Sequence, residues 1–152
     1  TPEGREKETV TRLSRVGYDN TLGYLKGGME TWTEAGKDIE TIDSISADTF
    51  AKRFKEETIN TLDVRKDGEY KSEHLEGENI QHFALDFIND NMNAIDNNKT
   101  YYIHCAGGYR SVIAASILKA RGFNNLIDVA GGFGALKKTD LPMTSFVCPS
   151  TL

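Results

Sequence analysis

Seven residues, Cys105-Ala106-Gly107-Gly108-Tyr109-Arg110-Ser111, constrain the chain more than any other stretch. Ahead of them "TYYIHC" is a short apolar and aromatic run that reads as a buried strand. Behind them Val112, Ile113, Ile117 and Leu118 recur at helical spacing, Ala114, Ala115 and Ala120 fill the remaining positions, and Gly122 supplies a C-terminal stop. A thiol therefore stands where a strand ends, with two glycines and an arginine leading into a helix.

The same alternation runs through the rest of the chain. "SISADTFAKRF" predicts a helix with Ser46 as its N-cap and Asp48 in the first turn. "INTLDV" predicts a second buried strand and "DFINDNMNAID" a second helix before the Asn97-Asn98 turn. "NLIDV" predicts another strand, ended by Gly131-Gly132 and followed by a short helix near "GALKK". Strands alternating with helices indicate parallel pairing through crossovers, an α/β architecture with helices on both faces of the sheet. Ligands in such sheets bind at the C-terminal ends of strands, where Cys105 stands.

An internal repeat extends the pattern upstream. "RLSRVGYDNTLGYLKGGMETW" (12–32) aligns with "ILKARGFNNLIDVAGGFGAL" (117–136) once one residue near Thr21 is treated as an insertion. Gly17-Tyr18 falls on Gly122-Phe123, Gly27-Gly28 on Gly131-Gly132, and Arg5 on Arg110. Residues 1–38 thus read as the tail of a first copy whose front half is missing, 39–146 as a complete domain and 147–152 as a tail. The apolar positions Leu13, Val16, Leu22 and Leu25 match a helix and a strand of the complete copy, so they call for a partner surface, either the complete domain or another chain in a homo-oligomer.

A loop leaving a strand and entering a helix aims several backbone N–H groups at one point, and the helix N-terminus adds positive potential. Such a setting suits an anion and draws a cysteine at its base toward the thiolate. Gly107 and Gly108 let the backbone curl tightly, and Arg110 adds a permanent, forked cation. With two cysteines 43 positions apart, a structural disulfide is a poor reading, and a cysteine that matters here matters as a thiol.

Composition narrows the partners. A formal net charge of −5, with no basic run longer than Lys137-Lys138, argues against a nucleic-acid or anionic-membrane surface, and no segment is long enough to span a membrane. The first residues lack an initiator Met and a signal-like apolar stretch, so the expectation is a cytoplasmic protein seen as a fragment or processed form.

The string from Cys105 to Ser111 resembles the active-site loop of rhodanese-domain sulfurtransferases, whose pattern is C-x-x-G-x-R-S. "LDVRKDGEYKSEHLEG" is similar to that family's L-D-V-R…E-[YF]…G-H-[IL]-x-G signature, and the G-[FY]…GG pattern follows downstream, so the likeness covers roughly residues 41–140. Glu73, Glu78 and Leu136 depart from the residues usual at their positions, which bears on the pocket rim and not on the loop. The resemblance implies a rhodanese-like fold and a Cys105 that accepts a sulfane sulfur as a persulfide. Thiosulfate or a low-molecular-weight persulfide would donate it and a thiol would accept it. Ala106, Gly107, Gly108, Tyr109, Arg110 and Ser111 would bind the sulfur or the departing oxyanion. The upstream piece resembles the cysteine-less rhodanese repeat that links a metallo-β-lactamase-like hydrolase domain to a terminal rhodanese domain, which implies a longer fusion protein of persulfide metabolism. His74, His82 and His104 are too few and wrongly spaced for that hydrolase's metal set, so no cofactor is expected in this chain, and iron or zinc would belong to the missing upstream domain.

Two other classes compete. Dual-specificity phosphatases and arsenate reductases of the Cdc type share the fold and a Cys–Arg loop, but with five intervening residues where this chain has four. One residue is about 3.5 Å of contour, so the shorter loop favours a sulfur atom over a tetrahedral phosphate. A silent interaction module is the third class, against which the retained Cys105 and Arg110 speak. Plainer roles are expected elsewhere. Asp63 and Arg65 support the site through structural ion pairs, Arg65 with Glu69, and His104 closes a buried strand with local hydrogen bonds. Tyr109 shapes the mouth or packs beside the helix start, the acidic residues of "KDGEYKSEHLEGE" form a solvated face, and Cys148 is a bystander in the tail.

Overall fold

The computed structural model describes residues 1–15, 17 and 19–148. The chain divides into two units, Thr1–Thr41 and Ile42–Leu152.

In the first unit helix α1 spans Glu6–Ser14 and helix α2 spans Gly28–Glu34, and neither buries a residue. Its glycines repeat the backbone of their counterparts. Gly17 and Gly122 both have φ of +91°, and Gly27-Gly28 (+79°, +62°) matches Gly131-Gly132 (+76°, +54°). The predicted strand between α1 and α2 does not form: Asp19–Leu25 carries no strand, and Leu22 is 93% exposed. A strand needs a neighbour for its backbone groups, and the described residues of this unit offer none. Val16 and Tyr18, on which part of the repeat was read, lie outside the described residues.

The second unit runs β1 (Asp43–Ile45), α3 (Ala47–Glu56), β2 (Asn60–Asp63), α4 (Asp67–Ser72), β3 (Ile80–His82), α5 (Ile88–Asn91), β4 (Tyr101–His104), α6 (Tyr109–Lys119), β5 (Leu126–Val129) and α7 (Gly132–Leu136). The five strands form one parallel sheet in the order β1-β5-β4-β2-β3. This is the rhodanese-like α/β arrangement expected from the sequence. Central β4 is buried at every residue, and its alternation sorts the core onto two faces. Tyr101 and Ile103 pack with Ala114, Ala115 and Leu118 of α6, whereas Tyr102 packs with Phe50 of α3, Val129 and Leu136 of α7. Phe50 meets Tyr102 edge-on, with centroids 5.7 Å apart.

Ser46 caps α3 as expected, its hydroxyl accepting the Thr49 N–H at 3.1 Å. The predicted helix over 86–96 is instead broken into a 3-10 turn at Leu85–Phe87, the four-residue α5 and a second 3-10 turn at Met92–Ala94. Asp86, Asn89, Asp90, Asn91 and Asn93 crowd this stretch, and such side chains compete with helical hydrogen bonds. Strands β1 and β3 and helix α4 carry no periodic signal of their own. Among the described residues no helix is long and apolar enough to cross a membrane.

Candidate active site

Cys105 is the first residue past β4, between the flanking strands β2 and β5, and is 1% exposed. The loop behind it rests on α7. The Cys105 carbonyl accepts the Phe133 N–H at 2.6 Å and the Ala106 carbonyl accepts the Gly134 N–H at 3.0 Å. This approach requires glycine at 132, where an added Cβ would fall 2.3 Å from the Cys105 oxygen. Gly108, at φ +97°, turns the chain into α6 and points its N–H at Cys105 Sγ, 3.1 Å away. The Ser111 hydroxyl lies 3.6 Å from the same sulfur. Burial acts to raise the Cys105 pKa, but hydrogen bonds from the Ser111 hydroxyl and from the backbone of Ser111, Gly107 and Gly108 together outweigh it and hold the thiol below its ordinary value. Gly107 is exposed and Ala106 half-buried, and Tyr109 is 79% exposed, so it does not pack beside the helix start.

Arg110 is held by Glu69 of α4. Its Nη1 and Nη2 donate to Glu69 Oε2 at 2.6 Å and Oε1 at 2.8 Å, a parallel two-bond pair. Glu69 Oε2 also accepts the Lys66 N–H at 3.1 Å, which fixes the carboxylate at the start of α4. The Arg110 bonds, helped by Lys66 and opposed by partial burial, lower the Glu69 pKa to about 2, and Glu69 in turn raises that of Arg110. The expected Arg65–Glu69 pair is therefore corrected, because Arg65 turns to Asp63. Its Nε donates to the two Asp63 oxygens at 2.9 and 3.0 Å, its Nη2 to Oδ2 at 2.5 Å and to the Glu73 carbonyl at 2.9 Å. The guanidinium covers the Phe133 ring at 3.8 Å. Asp63 and Arg65 thus brace α7 and the end of α4 from within the core.

His104 closes β4 as expected. Both ring nitrogens are buried and unpartnered, 3.8 Å separates Nε2 from Asp63 Oδ2, and burial lowers its pKa. Burial disfavours the protonated ring, which makes it a poor acceptor of the thiol proton. The acidic stretch is solvated at Asp67, Glu76 and Glu78, while Glu69 and Glu73 are partly buried in ion pairs. Besides Glu69, Glu73 takes Lys137 at 2.6 Å and Asp67 takes Lys71 at 2.7 Å.

Three features were not read from the sequence. The pairing of Glu69 with Arg110 is one, although the place of Glu69 in the "LDVRKDGEY" signature was a signal. Another is Tyr70, stacked between His74 (3.9 Å) and His82 (4.4 Å). The third is the return of residues 142–147 along 72–76. Leu75 bridges Met143, Glu76 N–H donates to the Pro142 carbonyl, and Val147 exchanges two hydrogen bonds with Ser72. The predicted tail therefore starts in an ordered contact, with exposed Cys148 just beyond it.

Residues 46–139 match the family model described as Rhodanese-like domain. The chain is 32% identical over 110 residues to the candidate sulfur carrier protein YrkF of Bacillus subtilis (strain 168), covering 72% of this chain but only 57% of that relative. A rhodanese-like domain protein from Staphylococcus aureus superposes with a TM-score of 0.59 at 31% identity, over 68% of this chain and all (100%) of that one. The rhodanese-like domain of the Anabaena protein Alr3790 gives a TM-score of 0.61 at 20% identity, over 70% of this chain and 81% of that one, a likeness of fold alone.

Proposed function

Since the chain belongs to the rhodanese-like domain family, we propose that it is a sulfurtransferase whose Cys105 carries a sulfane sulfur. The observation that carries this reading is the set of donors converging on Cys105 Sγ from Gly107, Gly108 and Ser111. These donors stabilise a thiolate in a water-poor site and stand ready for the negative charge of a persulfide.

The thiolate attacks the terminal sulfur of a donor. With thiosulfate a new Sγ–S bond forms, the S–S bond of the donor breaks, and sulfite leaves with the electron pair. With a low-molecular-weight persulfide, Cys105–S⁻ and R–S–SH give Cys105–S–SH and RS⁻. An acceptor thiolate then takes the outer sulfur and returns Cys105 to its thiolate. The loop amides of Ala106 to Ser111 stabilise the charge that develops there, beside an Arg110 whose own charge is offset by Glu69. We propose further that this domain belongs to a longer persulfide-metabolising protein, a reading that rests on the repeat of 12–32 in 117–136, whose matched glycines share backbone conformation.

The test is turnover with thiosulfate or glutathione persulfide as donor and a thiol as acceptor. Cys105→Ser is expected to abolish sulfur release. Turnover that survives the substitution would refute the role of Cys105.

A further inference from the structure

The cations on and beside the elements that carry the site are paired with carboxylates. Arg65 is held by Asp63, Arg110 by Glu69, Lys71 by Asp67 and Lys137 by Glu73, and Lys66 lies 4.0 Å from Asp86. The Arg110 fork in particular spends both terminal nitrogens on Glu69. Arg110 keeps further N–H donors, but its charge is compensated, so the uncompensated positive potential left for an anion is that of the loop N–H dipoles, which already point at Cys105 Sγ. A dianionic donor must either displace Glu69 from Arg110 or enter beside its carboxylate. A donor with less charge at its transferable sulfur meets neither obstacle.

We propose that Glu69 is a specificity-determining residue: by holding Arg110 and cancelling its charge, it disfavours dianionic sulfur donors and selects donors of lower charge, the persulfide class. The inference rests on the sulfurtransferase reading. In the favoured reaction Cys105–S⁻ attacks the outer sulfur of R–S–SH, the Sγ–S bond forms, the donor S–S bond breaks, and RS⁻ leaves with the electron pair. No sulfonate has to be accommodated.

Thiosulfate and methanethiosulfonate make a matched pair of probes, dianion and monoanion, with the same sulfur-transfer chemistry. In Glu69→Gln the ratio of kcat/KM for thiosulfate to that for methanethiosulfonate should rise by about threefold or more, the effect of one nearby charge at intermediate dielectric. Glu69→Asp, which keeps the charge, should stay closer to the unaltered chain. A second reading needs no substitution. In the unaltered chain thiosulfate kcat/KM should rise relative to methanethiosulfonate as salt screens the repulsion. A ratio unmoved or lowered in Glu69→Gln, or thiosulfate losing ground with salt, overturns the inference while leaving sulfur transfer intact. If neither donor adds a sulfur atom to Cys105 of the unaltered chain by mass spectrometry, the sulfurtransferase reading falls and this inference with it.

Discussion

The backbone N–H of Phe133 donates to the carbonyl of Cys105 across 2.6 Å, so the residue that follows the second glycine pair holds the base of the thiol loop in place. The Phe133 side chain meanwhile lies under the Arg65 guanidinium, which is locked to Asp63. Loop, α7 and the Asp63–Arg65 pair form one braced unit, and substitutions in the brace should register at the thiol.

Gly132→Ala strikes that brace at its tightest point. The new Cβ would stand 2.3 Å from the Cys105 oxygen on a backbone at φ +54°, so the loop or α7 must shift. Left-handed strain alone costs on the order of 1–3 kcal/mol, which should lower the melting temperature by about 5–10 °C in thermal unfolding. Gly107→Ala meets no atom within 4 Å and should change stability by less than about 1 kcal/mol. Equal losses for the two would contradict the brace.

Asp63→Asn leaves a buried arginine without its counter-charge. Both residues are almost wholly buried, so breaking the pair should cost about 3–5 kcal/mol in denaturant unfolding. A loss near that of an exposed pair would show that Arg65 finds another partner.

Much of this frame was legible beforehand. Strands β2, β4 and β5 are the short, mostly buried runs expected from the sequence, α3 buries one face, and the glycine-flanked cysteine announces the loop. Helix α6 forms where expected but buries Ser111, Ala114, Ala115 and Leu118, while Val112 and Ile113, on which its spacing was read, are exposed. The rest lacked local signals. Strands β1 and β3 are three residues each and exist through their neighbours. The stretch 85–94 has helical spacing but too many Asn and Asp side chains to stay helical. Glu69 was matched to Arg65, four residues before it, because its actual partner, Arg110, lies 41 residues away. The strand expected before Gly27 failed for the opposite reason, since its local pattern is sound but the described residues of its unit give it no sheet.

The Ser111 hydroxyl stands 3.6 Å from Cys105 Sγ and acts against burial to favour the thiolate. It supplies the foremost of the hydrogen bonds that lower the Cys105 pKa. Ser111→Ala should move the pH midpoint of iodoacetamide alkylation at Cys105 upward, with slower alkylation at neutral pH and little change once the thiol is fully ionised. A midpoint unchanged or lowered would assign the thiolate to the backbone amides alone.

Glu69 and Arg110 should respond to acid in a defined window. Because the Glu69 pKa falls from 4.5 to about 2 in the folded chain, its contribution to stability is present above pH 4.5 and is lost as pH drops through about 2. The difference in unfolding free energy between the unaltered chain and Glu69→Gln should therefore be flat above pH 4.5 and close below it. Partial exposure of both side chains keeps that difference small. A difference that varies between neutral pH and 4.5 would contradict the pairing.

The central claim is that Cys105 carries sulfur, and intact-mass analysis followed by peptide mapping tests it most directly. After incubation with thiosulfate or a low-molecular-weight persulfide, one added sulfur atom should map to the peptide containing Cys105, persist in Cys148→Ser and vanish in Cys105→Ser. Sulfur that maps to Cys148, or that still loads Cys105→Ser, would contradict the account.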